Sequence, residues 1–288
     1  MAYHGPVDVR VPGVMPMTMW VEDDDNVART FFYFGEGSYE CLTMILFGQL
    51  AKTTRMVWDI GGHTGLFSLV AARSNWATEV HYFEILEHIR ARAAVNFAIS
   101  NVADKVTIVP KGVSRESGEV SVFFDEAETM WTGASIEALP NRLKRKGVVE
   151  KTVPVTSIDD HWESLGRPQV GLVKIDVENH EVPALQGAKA FLSHNKPFLV
   201  LEILSRENLM EMVDVLRPHG YAAVYVIDDT NIAIHEYSMD LKDHKGDDYE
   251  FREYHNVLIS RTKLHRNFRD QLAQVIAASP IGAGAIGV

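Results

Sequence analysis

The sequence is organised around one short segment, residues 56–65, in which an apolar run ends in an acid and passes into a glycine-rich turn. Asp59 closes the run, and Gly61, Gly62 and Gly65 follow it, with an apolar helical pattern directly after the turn. This order predicts a strand, a tight turn and a helix. Glycine permits positive φ and lets a ligand approach the backbone closely, and the free N–H groups at a helix start favour an anion.

The spacing of the glycines limits the classes of ligand that this turn could bind. The dinucleotide fingerprint G-x-G-x-x-G is broken because Ile60 stands where its first glycine would be, and the phosphate loop G-x-x-x-x-G-K-[ST] is absent. The remaining pattern, D-x-G-G-x-x-G, suits a nucleoside with an amino-acid tail, and S-adenosylmethionine is such a ligand. Asp59 could accept hydrogen bonds from the ligand, or it could hold the turn in place by accepting hydrogen bonds from the N–H groups of the turn. A structural turn without a ligand is the alternative.

A second acid, Glu84, stands at the end of the next predicted strand, residues 79–84. In nucleotide-binding β-α-β units, an acid at this position accepts hydrogen bonds from the ribose hydroxyls. We therefore predict that Glu84 binds a ribose, with an exposed strand-end acid as the alternative.

The remaining patterns alternate between strands and helices, which is typical of an open α/β sheet. Before the glycine turn, residues 17–21 and 30–34 are predicted strands joined by an acidic turn at residues 23–26, and Ser38 is predicted to cap a helix over residues 39–51. The last two strands are expected at one edge, antiparallel to the rest. The other predicted elements are strands at residues 106–109, 119–124, 152–155, 170–176, 198–203, 221–227 and 257–260, and helices at residues 86–100, 183–194 (opened by Pro183) and 207–217.

Several acids and a histidine lie at the end of the predicted fourth core strand, residues 170–176, and directly after it. Ligands bind at the carboxyl ends of the strands in open α/β sheets, so we predict that Asp176 and His180 form the reacting end of a site. The near-neutral pKa of histidine suits His180 to accept a proton from an alcohol, although His180 could instead be structural. Together with Glu178 and Glu181, these residues could hold Mg²⁺ if at least three of the side chains converge.

Composition and charge exclude several classes of function. The chain has 288 residues and a net charge of −11 without a long basic run, so binding to a nucleic-acid backbone is not expected. A single cysteine, Cys41, rules out an internal disulfide and a C-x-x-C motif. The sequence shows no secretory signal, and no apolar run reaches the roughly 20 residues that span a bilayer. We expect a cytoplasmic protein with a small-molecule partner, and we leave open whether it forms a homo-oligomer.

The predicted domain organisation is one compact unit over residues 51–288, preceded by an N-terminal cap over residues 1–50. Residues 125–150 form a polar stretch that we interpret as a lid or insertion facing the substrate. Its basic cluster at residues 142–146 could meet an acidic substrate or form a solvated helix face. The apolar tail, residues 275–288, is interpreted as a packed or frayed terminus.

With these pieces placed, the chain resembles the FkbM family of S-adenosylmethionine-dependent methyltransferases. The resemblance extends from about residue 37 to residue 203 and rests on residues 57–65, 80–84, 155–159, 173–181, 185–188 and 199–202. It implies a doubly wound α/β fold with a seven-stranded, mostly parallel, Rossmann-like sheet, and O-methylation of a hydroxyl group on a sugar, polyketide or related metabolite. Asn179 replaces a glycine of the family pattern, and Ile85 replaces a proline. Asparagine tolerates positive φ, and neither change removes a charge.

The motif and the resemblance together define the predicted cofactor contacts. Two other functions are alternatives to methyl transfer. The first is a non-catalytic nucleoside-binding module of the same fold, which the acids at three strand ends disfavour. The second is a nicotinamide-dependent oxidoreductase, which the missing first glycine of the dinucleotide fingerprint disfavours. His63 could also serve as a base, or only bond the backbone of its loop. The predicted contacts to S-adenosylmethionine are Glu40, in the segment expected to cover the ligand, and Asp59, Gly61, Gly62, His63, Gly65 and Glu84.

Overall fold

A computed structural model describes residues 3–22, 25–75, 78–125, 148–239, 241 and 255–281. The elements of its first half are β1 (Gly5–Val9), β2 (Met17–Val21), α1 (Asn26–Phe34), α2 (Cys41–Ala51), β3 (Met56–Ile60), α3 (Leu66–Ser74), β4 (Glu79–Phe83), α4 (Glu87–Ile99), β5 (Val106–Val109), β6 (Gly112–Val113) and β7 (Gly118–Asp125). Those of its second half are β8 (Val148–Thr156), α5 (Ile158–Ser164), β9 (Leu172–Ile175), α6 (Glu181–Gln186), α7 (Lys189–Asn195), β10 (Phe198–Ile203), α8 (Arg206–Leu216), β11 (Ala223–Asp228), β12 (Ala233–Ser238), β13 (His255–Ser260) and α9 (Arg266–Ala277).

Eight of the described strands form the central sheet, in the order β12-β11-β13-β10-β9-β3-β4-β5. The strands from β10 to β5 in this order are parallel, β13 is antiparallel to both of its neighbours, and β12 is antiparallel to β11. The predicted doubly wound α/β fold is confirmed, with eight strands instead of seven because β12 extends the edge. Of the last two predicted strands, only β13 runs against the parallel strands. The chain order reverses between β3 and β9, which is where ligands bind in such sheets.

Helices cover both faces of this sheet, and alternate residues of β3 show why. Val57 packs into an apolar cluster with residues of α2, α3 and α9, whereas Trp58 packs into a second cluster with residues of α5 to α8. The indole of Trp58 stacks on Phe191 of α7 with ring centroids 4.9 Å apart. Because successive side chains of a strand point to opposite faces, a strand with buried apolar residues on both faces belongs at the centre of such a three-layer fold.

The N-terminal segment consists of the β1–β2 hairpin and the helices α1 and α2. The prediction of β2 is confirmed, but the predicted strand at residues 30–34 is wrong because these residues end α1. Asp25 caps this helix: its Oδ1 accepts the N–H groups of Val27 and Ala28 at 2.9 and 3.2 Å. Of the predicted acidic turn, residues 23 and 24 lie outside the described residues.

Helix α2 is capped from a distant part of the chain. The predicted cap is wrong, because the Ser38 hydroxyl donates to the carbonyl of Gly35 at 2.6 Å. Asp229, in the loop after β11, accepts instead the N–H groups of Leu42 and Thr43 at 2.6 and 3.0 Å. This bonding fastens α2 to the sheet above the site.

The predicted helix at residues 183–194 is two helices, α6 and α7. Pro183 is the third residue of α6 and does not begin it. Asp159 starts α7 by accepting the N–H groups of Ala190 and Phe191 at 3.0 and 2.8 Å. The sequence also left β1, β6, α5, β12 and α9 unpredicted.

The predicted lid and the end of the tail lie largely outside the described residues. This applies to residues 126–147, with the whole basic cluster, and to residues 282–288. In the described part of the chain, no helix has both the length and the apolar character needed to cross a bilayer.

Candidate functional site

A cavity of about 240 Å³ lies at the carboxyl ends of β3, β4 and β9, where the chain order of the sheet reverses. The glycine turn forms its floor, and the N-terminal segment and the segments after β4, β5, β9 and β10 form the remaining walls. The predicted site residues in its described lining are Glu40, Asp59, Gly61, Gly62, His63, Glu84, Asp176 and Glu178. Gly65 lies just beyond the lining, at the start of α3.

The glycine turn approaches the end of β9 so closely that only glycine fits at Gly61. This residue has φ +77°, and a Cβ there would lie 1.8 Å from the backbone oxygen of Asp176. The N–H groups of Gly61 and Gly62 both donate to the carbonyl of Phe83, at 3.1 and 3.0 Å. The turn is therefore fixed between the ends of β4 and β9, the two strands on either side of β3, and it lines the cavity.

Asp59 binds the start of α3 with one of its carboxyl oxygens. Its Oδ2 accepts the hydroxyl of Ser68, in the first turn of α3, at 2.6 Å. Its Oδ1 is buried and has no hydrogen-bond partner among the described residues. Burial raises the pKa of Asp59, and the ammonium of Lys174 opposes that effect. Both interpretations of this acid made from the sequence therefore have a geometric basis.

Glu84 is a buried carboxyl group that faces the cavity from the end of β4. Its Oε1 accepts the N–H group of Leu86 at 2.8 Å. Burial raises its pKa to about 7, and the backbone N–H groups of Leu86 and Ile85 limit that rise. The group can therefore both donate and accept hydrogen bonds near neutral pH.

Lys174 and two carboxyl groups form the most polar wall of the cavity. The Lys174 ammonium lies 2.5 Å from Asp176 Oδ2 and 4.5 Å from the centre of the Phe67 ring. Burial alone would lower its pKa, but Asp176, Glu40 and Asp59 raise it above its ordinary value. Lys174 is therefore charged.

The two carboxyl groups of this wall are held in opposite protonation states. Burial opposes ionisation of Asp176, but Lys174 outweighs that effect and lowers the pKa of Asp176. Burial and the neighbouring Asp176 raise the pKa of Glu202, with which Asp176 shares a hydrogen bond. Near neutral pH, Asp176 is ionised and Glu202 carries a proton.

Glu40 enters the cavity from the start of α2 in a left-handed conformation, with φ +33° and ψ +43°. This conformation costs a residue with a Cβ about 1–2 kcal/mol. Its Oε2 accepts the amide of Asn256 at 3.0 Å. Burial raises its pKa to about 7, and Lys174 opposes the rise. Strain of this kind is often found at functional sites, so the conformation supports a role in ligand binding.

His180, the predicted base, does not reach the described lining of the cavity. Its ring is buried, and Nε2 lies 2.9 Å from the hydroxyl of Ser114, which follows β6. Glu181 is fully buried as well and accepts the N–H group of Val177 at 2.9 Å. Asp176 therefore lines the cavity, whereas His180, at the start of α6, is not among the described lining residues.

The described residues also contain no group of three or more His, Cys, Asp or Glu side chains that could hold a metal ion. Asp176 is paired with Lys174, and Glu181 is bonded to the backbone. The predicted Mg²⁺ site on Asp176, Glu178 and Glu181 therefore has no support in this part of the chain.

The family model described as the methyltransferase FkbM domain matches residues 59–223, which is more than half of the chain. The chain belongs to the FkbM methyltransferase family. No curated protein sequence matches this FkbM-family chain significantly.

Among solved structures, the FkbM-family chain is similar to methyltransferases from three bacteria. Methyltransferase FkbM from Methylobacillus flagellatus is 14% identical, with a TM-score of 0.45, and the match covers 72% of this chain but only 43% of that one. A SAM-dependent methyltransferase from Agrobacterium tumefaciens is 13% identical, with a TM-score of 0.49 and coverage of 91% and 72%. The O-methyltransferase from Bacillus cereus, solved with SAH, is 12% identical, with a TM-score of 0.40 and coverage of 76% and 78%.

The site of this FkbM-family chain contains residues that the sequence analysis missed. Lys174 interrupts an otherwise apolar strand, and a charge at such a position was the available signal. Tyr39 and Lys111 line the cavity from loops. Nothing in the local pattern around these two residues distinguishes them from exposed loop residues.

Proposed function

We propose that the chain transfers a methyl group from S-adenosylmethionine to a hydroxyl group of a sugar, polyketide or similar small metabolite. The observation that carries this proposal is the cavity that joins the glycine turn to Glu84 at the ends of two adjacent parallel strands. The unpartnered oxygen of Asp59 and the lack of room for a Cβ at Gly61 support a ligand that approaches the backbone closely.

The cavity walls fit the parts of this cofactor in order. Ile85, Leu86 and Ile89 form an apolar wall beyond Glu84, which suits a purine ring, and Glu84 can accept hydrogen bonds from the ribose hydroxyls. The acids Glu40 and Asp176 also line the cavity and suit the positively charged part of the ligand. The chain therefore offers one continuous surface for a nucleoside with an amino-acid tail.

Methyl transfer requires the protein mainly to position the two reactants. The bound cofactor supplies a methyl group that its positive sulfur has already activated. The chain's own residues must hold the acceptor oxygen in line with that methyl group, exclude water and accept the proton of the hydroxyl group. Lys174 keeps Asp176 ionised, so this carboxylate can bind a hydroxyl or an ammonium group at the reacting end.

We further propose that the acceptor binds above the ends of β3 and β9. The N-terminal segment lies beside this position, because Val27, Tyr39 and Glu40 line the cavity. We retain residues 125–150 as the proposed lid and residues 1–50 as the proposed cap. Deletion within residues 126–147 should weaken acceptor binding and leave cofactor binding nearly intact, whereas equal loss of both would assign this stretch a structural role.

The experiment that tests the function uses S-adenosylmethionine labelled in its methyl group. The protein is incubated with it and with an extract of its own source, and labelled products are separated and identified. A labelled methyl ether supports the proposal. Binding of S-adenosylhomocysteine without turnover on any hydroxyl compound would favour a nucleoside-binding module. Binding of NAD in its place would favour an oxidoreductase.

A further inference from the structure

We propose that the methyl acceptor carries a protonated amino group besides its hydroxyl group, and that three polar residues of neighbouring strands bind this ammonium group. The three residues, called the polar row, are Asp176 and Glu202, at the carboxyl ends of β9 and β10, and Asn256, near the start of β13. This inference rests on the proposed methyl transfer, and it names the class of acceptor that the same cavity takes.

The register of three adjacent strands places the polar row. Glu202 of β10 lies directly opposite Asn256 of β13. β9 and β10 pair with Leu201 beside Ile175, so the next residue of each strand, Glu202 and Asp176, lie side by side where these strands end. Residues at paired positions project from the same face of a sheet. The three polar side chains are therefore neighbours on one face.

Two buried oxygens of the polar row lack a hydrogen-bond donor in the described part of the chain. Asn256 is only 7% exposed, and its Nδ2 donates to Glu40 Oε2 at 3.0 Å, whereas its Oδ1 has no partner there. Glu202 Oε2 is also buried without a partner there. Buried acceptors are normally satisfied, and leaving them unsatisfied costs free energy. Because Glu40 and Glu202 line the cavity, a bound group with several N–H donors, such as an ammonium, can satisfy both oxygens.

The charge at this end of the cavity favours a cation over a neutral donor. Four carboxyl groups line it from the start of α2 and from the ends of β9 and β10, namely those of Glu40, Asp176, Glu178 and Glu202. Lys174, whose ammonium lies 2.5 Å from Asp176 Oδ2, supplies one positive charge to this group. Burial and Asp176 outweigh Lys174 and raise the pKa of Glu202 to about 10. An ammonium group of the ligand supplies a second positive charge and favours the ionised form of Glu202.

The polar row extends away from the proposed cofactor contacts. The glycine turn follows β3 and Glu84 follows β4, whereas β10 and β13 lie two and three strands from β3 on the opposite side. Adjacent strands are about 4.8 Å apart, so Glu202 and Asn256 lie roughly 10 and 14 Å from β3. The acceptor hydroxyl group then lies above β3 and β9, as already proposed, and its amino group lies beside it above β10 and β13.

The amino group in this arrangement positions the acceptor and does not receive the methyl group. A protonated amine has no free electron pair with which to attack the methyl carbon, and the surrounding carboxyl groups favour the protonated form. The hydroxyl oxygen therefore remains the nucleophile, and the product is a methyl ether that still carries its amino group.

A matched pair of small probes tests the recognition of the amino group. In trans-4-aminocyclohexanol, an amino group replaces one hydroxyl group of trans-1,4-cyclohexanediol. Each probe is titrated by calorimetry at neutral pH into the full chain saturated with S-adenosylhomocysteine. We expect the amino alcohol to bind roughly tenfold more tightly than the diol, or better, because its hydrogen bonds to the polar row are charge-assisted. Equal affinities, tighter binding of the diol, or no measurable binding of the amino alcohol overturns the inference.

Two variants test the residues of the polar row. Glu202→Gln keeps the shape of the side chain and removes its charge, and Asn256→Leu removes the amide at similar volume. Each should lower the affinity for trans-4-aminocyclohexanol by roughly tenfold or more and leave the affinity for S-adenosylhomocysteine unchanged, which also shows that the variant is folded. Asp104→Asn, at an exposed acid before β5, should change neither affinity. If both row variants bind the amino alcohol as the wild type does, the polar row is not its binding site.

A fractionated extract separates this inference from the proposed function. Cation exchange at neutral pH divides an extract of the protein's own source into retained amines and a flow-through of neutral and acidic compounds, and each fraction is incubated with the protein and labelled S-adenosylmethionine. We expect a labelled methyl ether in the retained fraction alone. A labelled ether in the flow-through, or a labelled N-methyl group, overturns the amino-group inference. Label in neither fraction contradicts the proposed function itself.

Discussion

Replacement of Gly61 by alanine should damage both the fold and the site, and the structure separates the two causes of that damage. The first cause is the backbone. With φ +77°, a residue with a Cβ is strained by about 1–2 kcal/mol. The second cause is the collision of the new Cβ with the Asp176 carbonyl, which would lie 1.8 Å away. Overpacking of a tight contact costs about 1–3 kcal/mol, so Gly61→Ala should destabilise the chain by about 2–5 kcal/mol.

Two other glycines provide matched controls for these causes. Gly166 has the same φ of +77°, but a Cβ there would meet nothing within 4 Å, so Gly166→Ala isolates the backbone cost. Gly118 has neither a positive φ nor a close neighbour, so Gly118→Ala should change the stability little. Urea unfolding of the three variants gives the free energies of unfolding in one experiment.

The collision at Gly61 also predicts a functional effect that the controls lack. Its relief must move the turn away from β9 or move Asp176, and either shift alters the cavity floor. A misplacement of about 1 Å can cost on the order of 10²-fold in rate. Turnover should therefore fall in Gly61→Ala and stay near the wild-type value in Gly166→Ala. If the two variants lose equal stability and equal turnover, the close approach of the turn to β9 adds nothing to the backbone strain, and the reasoning is refuted.

Two more predictions concern buried groups behind the cavity. His180→Gln should lose about 1 kcal/mol of stability with the Ser114 contact, yet keep its cofactor affinity and turnover per folded molecule; lost turnover at unchanged stability would return His180 to the reacting end. Burial raises the pKa of Glu181 to about 7, above its ordinary value of 4.5, so the folded state binds the proton more tightly and stability falls as the pH rises from about 4.5 to about 7. Glu181→Gln should make the free energy of unfolding depend less on pH over this range. If urea unfolding between pH 5 and pH 8 shows the same pH dependence in the two proteins, Glu181 is not the group responsible.

The pattern of strands and helices was predictable wherever one short segment carried its own signal. Residues 56–65 combine an apolar run with three glycines, and the structure has β3, the turn and α3 there. The aromatic residues at 30–34 predicted a strand but form the end of α1, because strands and helices both accommodate such residues. Only Phe31 in this run is buried, and the signal for a helix was Asp25 at its start. The cap of α2 could not be predicted, because Asp229 is remote in sequence and adjacent only after folding.

The site was predictable in part for the same reason. Acids at strand ends, such as Glu84 and Asp176, are placed by the geometry of parallel strands, so their presence at the cavity follows from the strand assignment. His180 was expected at the cavity and is not among its described lining residues, because four residues after a strand are enough for the chain to turn away. Lys174 was missed because its role depends on Asp176 and Glu40, which lie in different elements.

The proposed function requires the cavity to bind S-adenosylmethionine with Glu84 on its ribose hydroxyl groups. Calorimetric titration of S-adenosylhomocysteine into the wild type and into Glu84→Ala measures this binding. We predict saturable binding at one site per chain in the wild type and a loss of about 1.5–3 kcal/mol, or roughly 10- to 150-fold in affinity, in Glu84→Ala. Equal affinity in the two proteins, or no binding to the wild type, would contradict the account.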